Sequence, residues 1–568
     1  MKITLTKNGQ GKLRVRALLA VFSLSLVFVF FALSCCQSDS LLSKPPRYVF
    51  LITLDTLRAD YVSVYPQAKA KTPALEEFAR QGISFDRAYS PIPITAPAHA
   101  TMFFSLPPHQ LKLYNNGQIF KLGGRDKSPL VSLSQIFQSE NFATAAFISL
   151  GVLKAKFGLG RGFDFYDDKF PPERWYLTAA EINQKFFAWL ENFTAKKAFI
   201  WLHYSDPHDP YAPPATPDDV ELTVNQTGKK RFCLRKMEPL HLNFQAKPGR
   251  NTLRIKILEP HPEGKIRLRL SQIEIKTQNG LKIPFSINCF DAYEKDGQKF
   301  WLIREEATLS FTSPGDDLEL NFQAHPDMFW TIEEQRQAYR QEVEYLDSQL
   351  KALQEELKAR KIWEESLFIL AGDHGEGLGE RRTRFGDFHF GHIHFLYEPY
   401  VHIPFIVSSP LLKPINLRQN LRQNMRQNMR QSQVVSLEDV APTLLALLGW
   451  KRPSFYQGNN ILETAKSRSP SIVLLETYRP EAAEDRFGGV FYPWHLIFTP
   501  TTNKIELYHL QNDPGERNNL NLARINNPEV KLLAQKVMET ALKILNEKEE
   551  TSLDPQALEM LKSLGYIK

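Results

Sequence analysis

Continuous apolar runs separated by helical periodicity dominate the chain. "RYVFLITLD" (47–55) is apolar without alternation, the pattern of a strand covered on both faces. "LVSLSQIFQSENFATAAFIS" (130–149) reads as a helix followed by a strand, and "INQKFFAWLENF" followed by "KAFIWLHYSD" repeats that order. Over 333–362, Val343, Leu346, Leu350, Leu353 and Leu357 recur at helical spacing and predict a long amphipathic helix. It leads into the apolar strand "ESLFILAGD", and "VHIPFIVSS" is another. Helices alternating with apolar strands predict an α/β domain, a mixed, mostly parallel sheet sandwiched by helices.

Residues 216–325 break this rhythm. In "KIRLRLSQIEIK" Ile266, Leu268 and Leu270 interleave with Lys265, Arg267 and Arg269, and "LHLNFQA" (240–246) is echoed by "LELNFQA" (318–324). Period-two alternation predicts an inserted all-β domain, a sandwich that serves as a lid, a packing module or a substrate-binding surface. The α/β domain is then discontinuous, 47–215 and 326–465. Residues 466–568 hold two short strands, "HLIFTP" and "IELYHL", and an amphipathic tail, which predict a small C-terminal α+β subdomain. "NLRQNLRQNMRQNMRQ" (416–431) is a tetrapeptide repeat, read as a surface loop or a short helix with an arginine row.

Charge changes the picture little. The formal net charge is +7; Lys2, Lys7, Lys12, Arg14 and Arg16 account for five of it, and Arg418, Arg422, Arg426 and Arg430 for four more. The remainder is slightly acidic, which argues against a nucleic-acid partner. The basic start precedes "ALLAVFSLSLVFVFFAL" (17–33) and "ALSCC", so residues 1–36 are expected to be an export signal, a membrane anchor or a lipoprotein signal with lipid on Cys35 or Cys36. The expected location is extracytoplasmic: periplasm or cell envelope, with membrane association through that segment or its lipid. Cys233 and Cys289 either pair or remain two buried thiols.

Three aspartates fall at the C-terminal ends of predicted parallel strands, Asp55, Asp206 and Asp373, the edge at which open α/β sheets bind ligands. His374 follows Asp373, and His208 lies two past Asp206. Thr95, in "PITAPAHAT" (93–101), precedes a helical run, where a threonine commonly only caps the helix. A helix N-terminus also suits an anion. Asp55, Asp373 and His374 together could hold one divalent cation, which could bind the Thr95 hydroxyl and make it a nucleophile toward a tetrahedral oxyanion ester.

The stretches "LITLDTLRADYV", "TPALEEFARQGISFDRAYSPIPITAPAHATMF", "WLHYSDPHDPYAPP", "AGDHGEGLGE", "LYEPYVHIPFIV", "SLEDVAPTLLALLG" and "ELYHLQNDPGERNNL" occur in an order that resembles the sulfatase family of the alkaline phosphatase superfamily. The resemblance implies an alkaline-phosphatase-like fold and a metal-dependent ester hydrolase. It puts Asp55, Asp373 and His374 on metal-ligand positions, with Thr95 as a fourth ligand and on the nucleophile position. His99 replaces the arginine that ends the sulfatase motif. Asn116 in "LYNNG" and His208 fall where relatives touch substrate oxygens. His392 in "FGHIHFLYE", with His394 as its neighbour, matches a substrate-binding lysine or histidine.

The departures bear on the chemistry. Sulfatases oxidise a cysteine or serine to formylglycine at the nucleophile position; a threonine would give a ketone. The paired aspartates become Asp55–Thr56, and the Gly-Lys motif is absent from "FATAAFISLGVLK", where Lys154 is the substitute available. A nitrogen donor and one fewer carboxylate favour manganese, zinc or magnesium over calcium. The spacing of "SDPHDPY" does not match di-zinc relatives, so one ion is expected. The expected activity is hydrolysis of phosphate, phosphonate or sulfate esters of small molecules, glycans or lipids through Thr95, with His99, His208 and His392 as catalytic partners and Asn116 and His394 as substrate contacts. The alternatives are a true sulfuric ester hydrolase, an envelope head-group transferase and a non-catalytic binding protein.

Overall fold

The computed structural model describes residues 41–547 apart from 121–129, 172–173, 210, 212–219, 227, 233–239, 259–267, 296, 327–330, 384–385, 387, 414–428, 463–471 and 479–483. The export or anchor segment with Cys35 and Cys36, the Cys233 half of the cysteine pair and most of the tetrapeptide repeat lie outside the described residues.

A nine-stranded sheet forms the centre. The strand Tyr48–Leu54 lies in its middle, parallel to Ser366–Gly372 on one side and to Ala198–Tyr204 on the other. Ala143–Phe147 continues outward, parallel to Ala198–Tyr204, and Phe165–Asp167 follows it. On the opposite flank Phe405–Ser408 runs antiparallel to Ser366–Gly372 and to Gly82–Tyr89. The sheet is therefore mixed and mostly parallel. Its middle strand is buried at every position because both faces are covered.

Alternation sorts the side chains. Val49 and Leu51 point into a core shared with the helices Thr95–Phe104, Leu133–Ser139 and Val440–Leu447. Phe50, Ile52 and Leu54 point into a second core with the helices Pro73–Arg80, Ala179–Glu191 and Ile332–Ala359. The last of these begins at a capping box in which the Thr331 hydroxyl accepts from the Glu334 N–H.

Two five-stranded antiparallel sheets built from residues 220–326 enclose a separate core that includes Leu253, Ile255, Leu268, Leu270, Leu309 and Leu320. The two echoing segments are neighbours: Leu320 pairs with Leu242 and Leu318 with Phe244. In the strand Leu268–Thr277 the inward residues switch from even positions, Leu268 and Leu270, to odd ones, Ile273 and Ile275. One extra residue between Ser271 and Glu274, with Gln272 at φ 51°, restores the facing.

The end of the tetrapeptide repeat is a strand, neither loop nor helix. Met429–Ser436 pairs in parallel with Gly82–Tyr89, and Arg430 donates to the Asp86 carboxylate. The C-terminal region holds four antiparallel strands where the alternation suggested two. Val473–Thr477 and Arg486–Phe491 precede the expected pair, and the helix Pro528–Glu547 packs on this sheet. Gly488 and Gly489 dilute the apolar pattern of the second strand, yet a Cβ at Gly489 would press on Leu533 and Val537 of the helix. This sheet is tied to the α/β domain by Glu516, which accepts from the Glu398 N–H at 2.7 Å and from His495 Nδ1 at 2.6 Å. Among the described residues no helix is long and apolar enough to cross a membrane.

Candidate active site

Strand register assembles the acidic pair. Leu54 lies opposite Gly372, so the residues that follow, Asp55 and Asp373, emerge side by side from the same sheet edge. Asp55 N–H donates to the Tyr204 carbonyl, which closes the third strand against them. The third strand-end aspartate does something else: Asp206 accepts the Ala179 N–H at the start of the helix Ala179–Glu191, at 3.0 Å. It serves the first N–H of a helix whose capping residue is Thr178.

Each carboxylate of the pair is half satisfied. Asp373 Oδ1 accepts the N–H groups of Thr56 at 3.0 Å and His374 at 2.7 Å, the first made available by left-handed backbone at Thr56, φ 54°. Asp55 Oδ2 faces His203 Nε2 at 3.2 Å. The other oxygens, Asp373 Oδ2 and Asp55 Oδ1, are buried with no hydrogen-bond partner among the described residues. The His374 Nδ1–H donates to the Gly375 carbonyl at 3.0 Å, which turns Nε2 toward Asp373 Oδ2 at 3.4 Å. One ligand atom from each of Asp55, Asp373 and His374 lies within 4.8 Å of the others, all three side chains buried. Unsatisfied buried carboxylate oxygens are costly unless a cation or a proton meets them, so this donor set fits a divalent metal.

Electrostatics agree with that. Burial raises the Asp55 and Asp373 carboxyls above their ordinary value. Burial opposes protonation of His374, but Asp373 and Asp55 beside it overcome this and raise it. Burial lowers His99 to about 3 and His203 and His208 to about 4, so these rings are neutral at neutral pH.

Thr95 is the first residue of a fully buried helix, with Ile94 at the capping position making no side-chain cap bond. The Thr95 hydroxyl is thus not a cap. It lies 3.3 Å from His374 Nε2, beside the proposed cation position. The helix start is served by Asn116, whose Oδ1 accepts the Ala96 N–H at 2.9 Å. The Asn116 Nδ2 is buried with no hydrogen-bond partner among the described residues. His99, one turn on, donates from Nδ1 to the Thr95 carbonyl at 2.8 Å, and its ring packs on Trp201 and His203. It lies behind the aspartate pair, 3.7 Å from Asp373 Oδ2, rather than in the row formed by the other histidines of the site.

That row is His374, His392 and His208. The His392 ring is 4.5 Å from that of His374 and 5.1 Å from that of His208. His394 turns the other way, its ring 4.9 Å from His389. Lys154 reaches over the Phe170 ring instead of joining the row. Two residues near the centre, His203 and Glu376, escape a linear reading. His203 holds Asp55, and its Nδ1 is 2.7 Å from the Ser149 hydroxyl. Glu376 contacts His392 Nδ1 at 2.9 Å and receives the Tyr211 hydroxyl at 3.1 Å. Glu376 stood in plain view within "DHGEG", but its partners come from two distant loops.

The sequence profile of the sulfatase family matches residues 47–450, and that of the N-sulphoglucosamine sulphohydrolase C-terminal region matches 386–546. The chain is 22% identical over 492 residues to the uncharacterized sulfatase YidJ of Escherichia coli K12, covering 84% of this chain and 83% of that one. A structure solved with its substrate D-glucosamine-2-N,6-O-disulfate is similar at TM-score 0.56 and 16% identity, covering 89% of this chain and 99% of the other. The phosphonate monoester hydrolase of Agrobacterium radiobacter is similar at TM-score 0.54 and 15% identity, covering 89% and 96%. The two solved structures share the alkaline-phosphatase-like fold with this chain. The profile match over most of the α/β domain, on a chain whose Asp55, Asp373 and His374 meet at the expected sheet edge, makes this protein a member of the sulfatase family of ester hydrolases.

Proposed function

We propose that this protein hydrolyses phosphate or phosphonate esters with Thr95 as its nucleophile. The observation that carries the reading is the Thr95 hydroxyl, buried and 3.3 Å from His374 Nε2, in a position that offers no cysteine or serine for conversion to formylglycine. Asp55, Asp373 and His374, with the Thr95 hydroxyl, would hold one divalent cation, manganese, zinc or magnesium by the donor set. When bound, that ion supplies positive charge that lowers the hydroxyl pKa and offsets charge on the ester oxyanion.

The chain's own groups do the rest. Thr95 Oγ forms a bond to phosphorus as the ester P–O bond breaks, giving a phospho-threonine intermediate that water then cleaves. Asn116 Nδ2, a buried donor, meets the non-bridging oxygen charge as it grows. His208 and His392, both held neutral by burial, relay to the departing oxygen the proton that the Thr95 hydroxyl gives up. The basic and apolar residues of 1–36 support a site of action outside the cytoplasm, where glycan or lipid esters of the envelope are the natural substrate classes.

A second reading, cleavage of sulfate esters by unmodified threonine, is favoured by the family itself. Metal analysis joined to a panel of matched aryl sulfates, phosphodiesters and phosphonates separates the two. The first reading expects turnover of the phosphorus esters in manganese or zinc, abolished by Thr95→Ala. Preference for the sulfate, or activity that survives Thr95→Ala, refutes it.

A further inference from the structure

Glu376 lies between the two loops that carry His208 and His392, and it holds both. Its backbone is fixed first. The Glu376 N–H donates to the Pro399 carbonyl at 2.9 Å, the Gly375 N–H to the Tyr400 carbonyl at 2.8 Å, and the Glu376 carbonyl accepts from Arg58 at 2.9 Å. The flanking glycines make this possible: a Cβ at Gly375 would collide with the Pro399 carbonyl, and one at Gly377 with the Tyr400 ring. The turn that carries the metal ligands Asp373 and His374 is thereby welded to the segment just after His392.

The side chain is fully committed. One carboxylate oxygen accepts from His392 Nδ1 at 2.9 Å, and the other accepts the Tyr211 hydroxyl at 3.1 Å. With Nδ1 turned to Glu376, the Nε2 edge of His392 lies on the opposite side of the ring, within the histidine row. Tyr211 lies three residues beyond His208 on the same loop, and its ring rests against Tyr339, whose hydroxyl donates to the Thr56 carbonyl at 2.7 Å. A single buried carboxylate thus joins three stretches remote in sequence: the Asp373–His374 turn, the His392 loop and the His208 loop.

We propose that Glu376 is a positioning residue that sets the His392 ring, with its own carboxylate anchored by the Tyr211 hydroxyl. The proposal rests on the reading of His392 as a substrate-facing group. A residue acting through His392 matters only while His392 is present, which makes coupling the test. In purified full-length enzyme assayed on the best ester of the panel, Glu376→Ala should lower kcat about 100-fold, the size of a misplaced acid–base group, with KM nearly unchanged. Glu376→Gln, which keeps one acceptor and nearly the same shape, should retain more activity than Glu376→Ala. Adding Glu376→Ala to His392→Ala should cost no more than about twofold beyond His392→Ala alone. Metal content should equal that of the wild type in every variant. Losses that multiply in the double variant, loss of metal, or wild-type kcat in Glu376→Ala would overturn the proposal. If Glu376→Ala does not fold, Glu376→Gln and Tyr211→Phe in the same cycle decide it. If the wild type cleaves no ester, the functional reading fails by itself. The positioning claim then stands or falls on crystal structures, in which the His392 ring should rotate in Glu376→Ala; an unmoved ring refutes it.

Discussion

Asn116 offers a substitution pair whose two effects separate. Its Oδ1 occupies the Ala96 N–H at the start of a helix that has no side-chain cap, and its Nδ2 is buried without a hydrogen-bond partner among the described residues. Asn116→Ala removes both atoms. A stranded buried N–H costs about 1–3 kcal/mol of stability. Loss of a donor aimed at transition-state charge costs about 3–4 kcal/mol, or ~10²–10³ in kcat. Asn116→Asp keeps an acceptor for Ala96 and places negative charge at a helix N-terminus, which is favourable there. It replaces the donor with an oxygen that repels an anionic substrate. Thermal melts should therefore place Asn116→Asp near the wild type and Asn116→Ala clearly below it. Turnover of the preferred ester should fall at least as far in Asn116→Asp as in Asn116→Ala. Equal melting of the two variants would refute the capping role, and wild-type kcat in Asn116→Asp would refute the donor role.

Burial holds the Asp55 and Asp373 carboxyls above their ordinary value, so in the metal-free protein they favour the protonated form, and that stabilisation fades as pH rises through their raised values. Cation binding needs them ionised, so the rise in melting temperature on adding manganese or zinc should grow as pH rises from below the carboxyls' raised values to above them; an increment constant with pH refutes this. His203→Phe removes the group facing Asp55 Oδ2 and should weaken metal affinity about 10–100-fold in a chelator competition, against a slight change for Lys154→Ala. Gln272→Gly relieves left-handed backbone in the inserted domain and should stabilise it by about 1 kcal/mol in a denaturation assay that follows that domain, with catalysis untouched.

Much of the fold was legible because it is written in local pattern. Unbroken apolar runs identify strands covered on both faces, helical spacing identifies Ile332–Ala359, and alternation marks the inserted sheets. Local pattern failed where pairing, not composition, makes the element. Met429–Ser436 is a strand only because Gly82–Tyr89 lies beside it, and Arg486–Phe491 carries glycines that suit a close-packed helix.

The site divides in the same way. Sequence by itself determined the chemical inventory: aspartates at strand ends, a histidine after one of them, and a threonine at the head of a buried helix. It also singled out Asp55 and Asp373 from three strand-end aspartates that look alike along the chain, without showing what Asp206 does instead. Register settled that, by setting Leu54 against Gly372 and turning Asp206 to a helix end. Sequence preferred His392 to His394 only by resemblance to a family motif, since residues two apart differ physically only in what the folded loop turns them toward. Glu376 and His203 acquire partners only when stretches far apart in sequence meet, His392 and Tyr211 for the first, Asp55 and Ser149 for the second. A side chain's type is a local property, whereas its hydrogen-bond partner, its burial and hence its proton affinity belong to the packed structure.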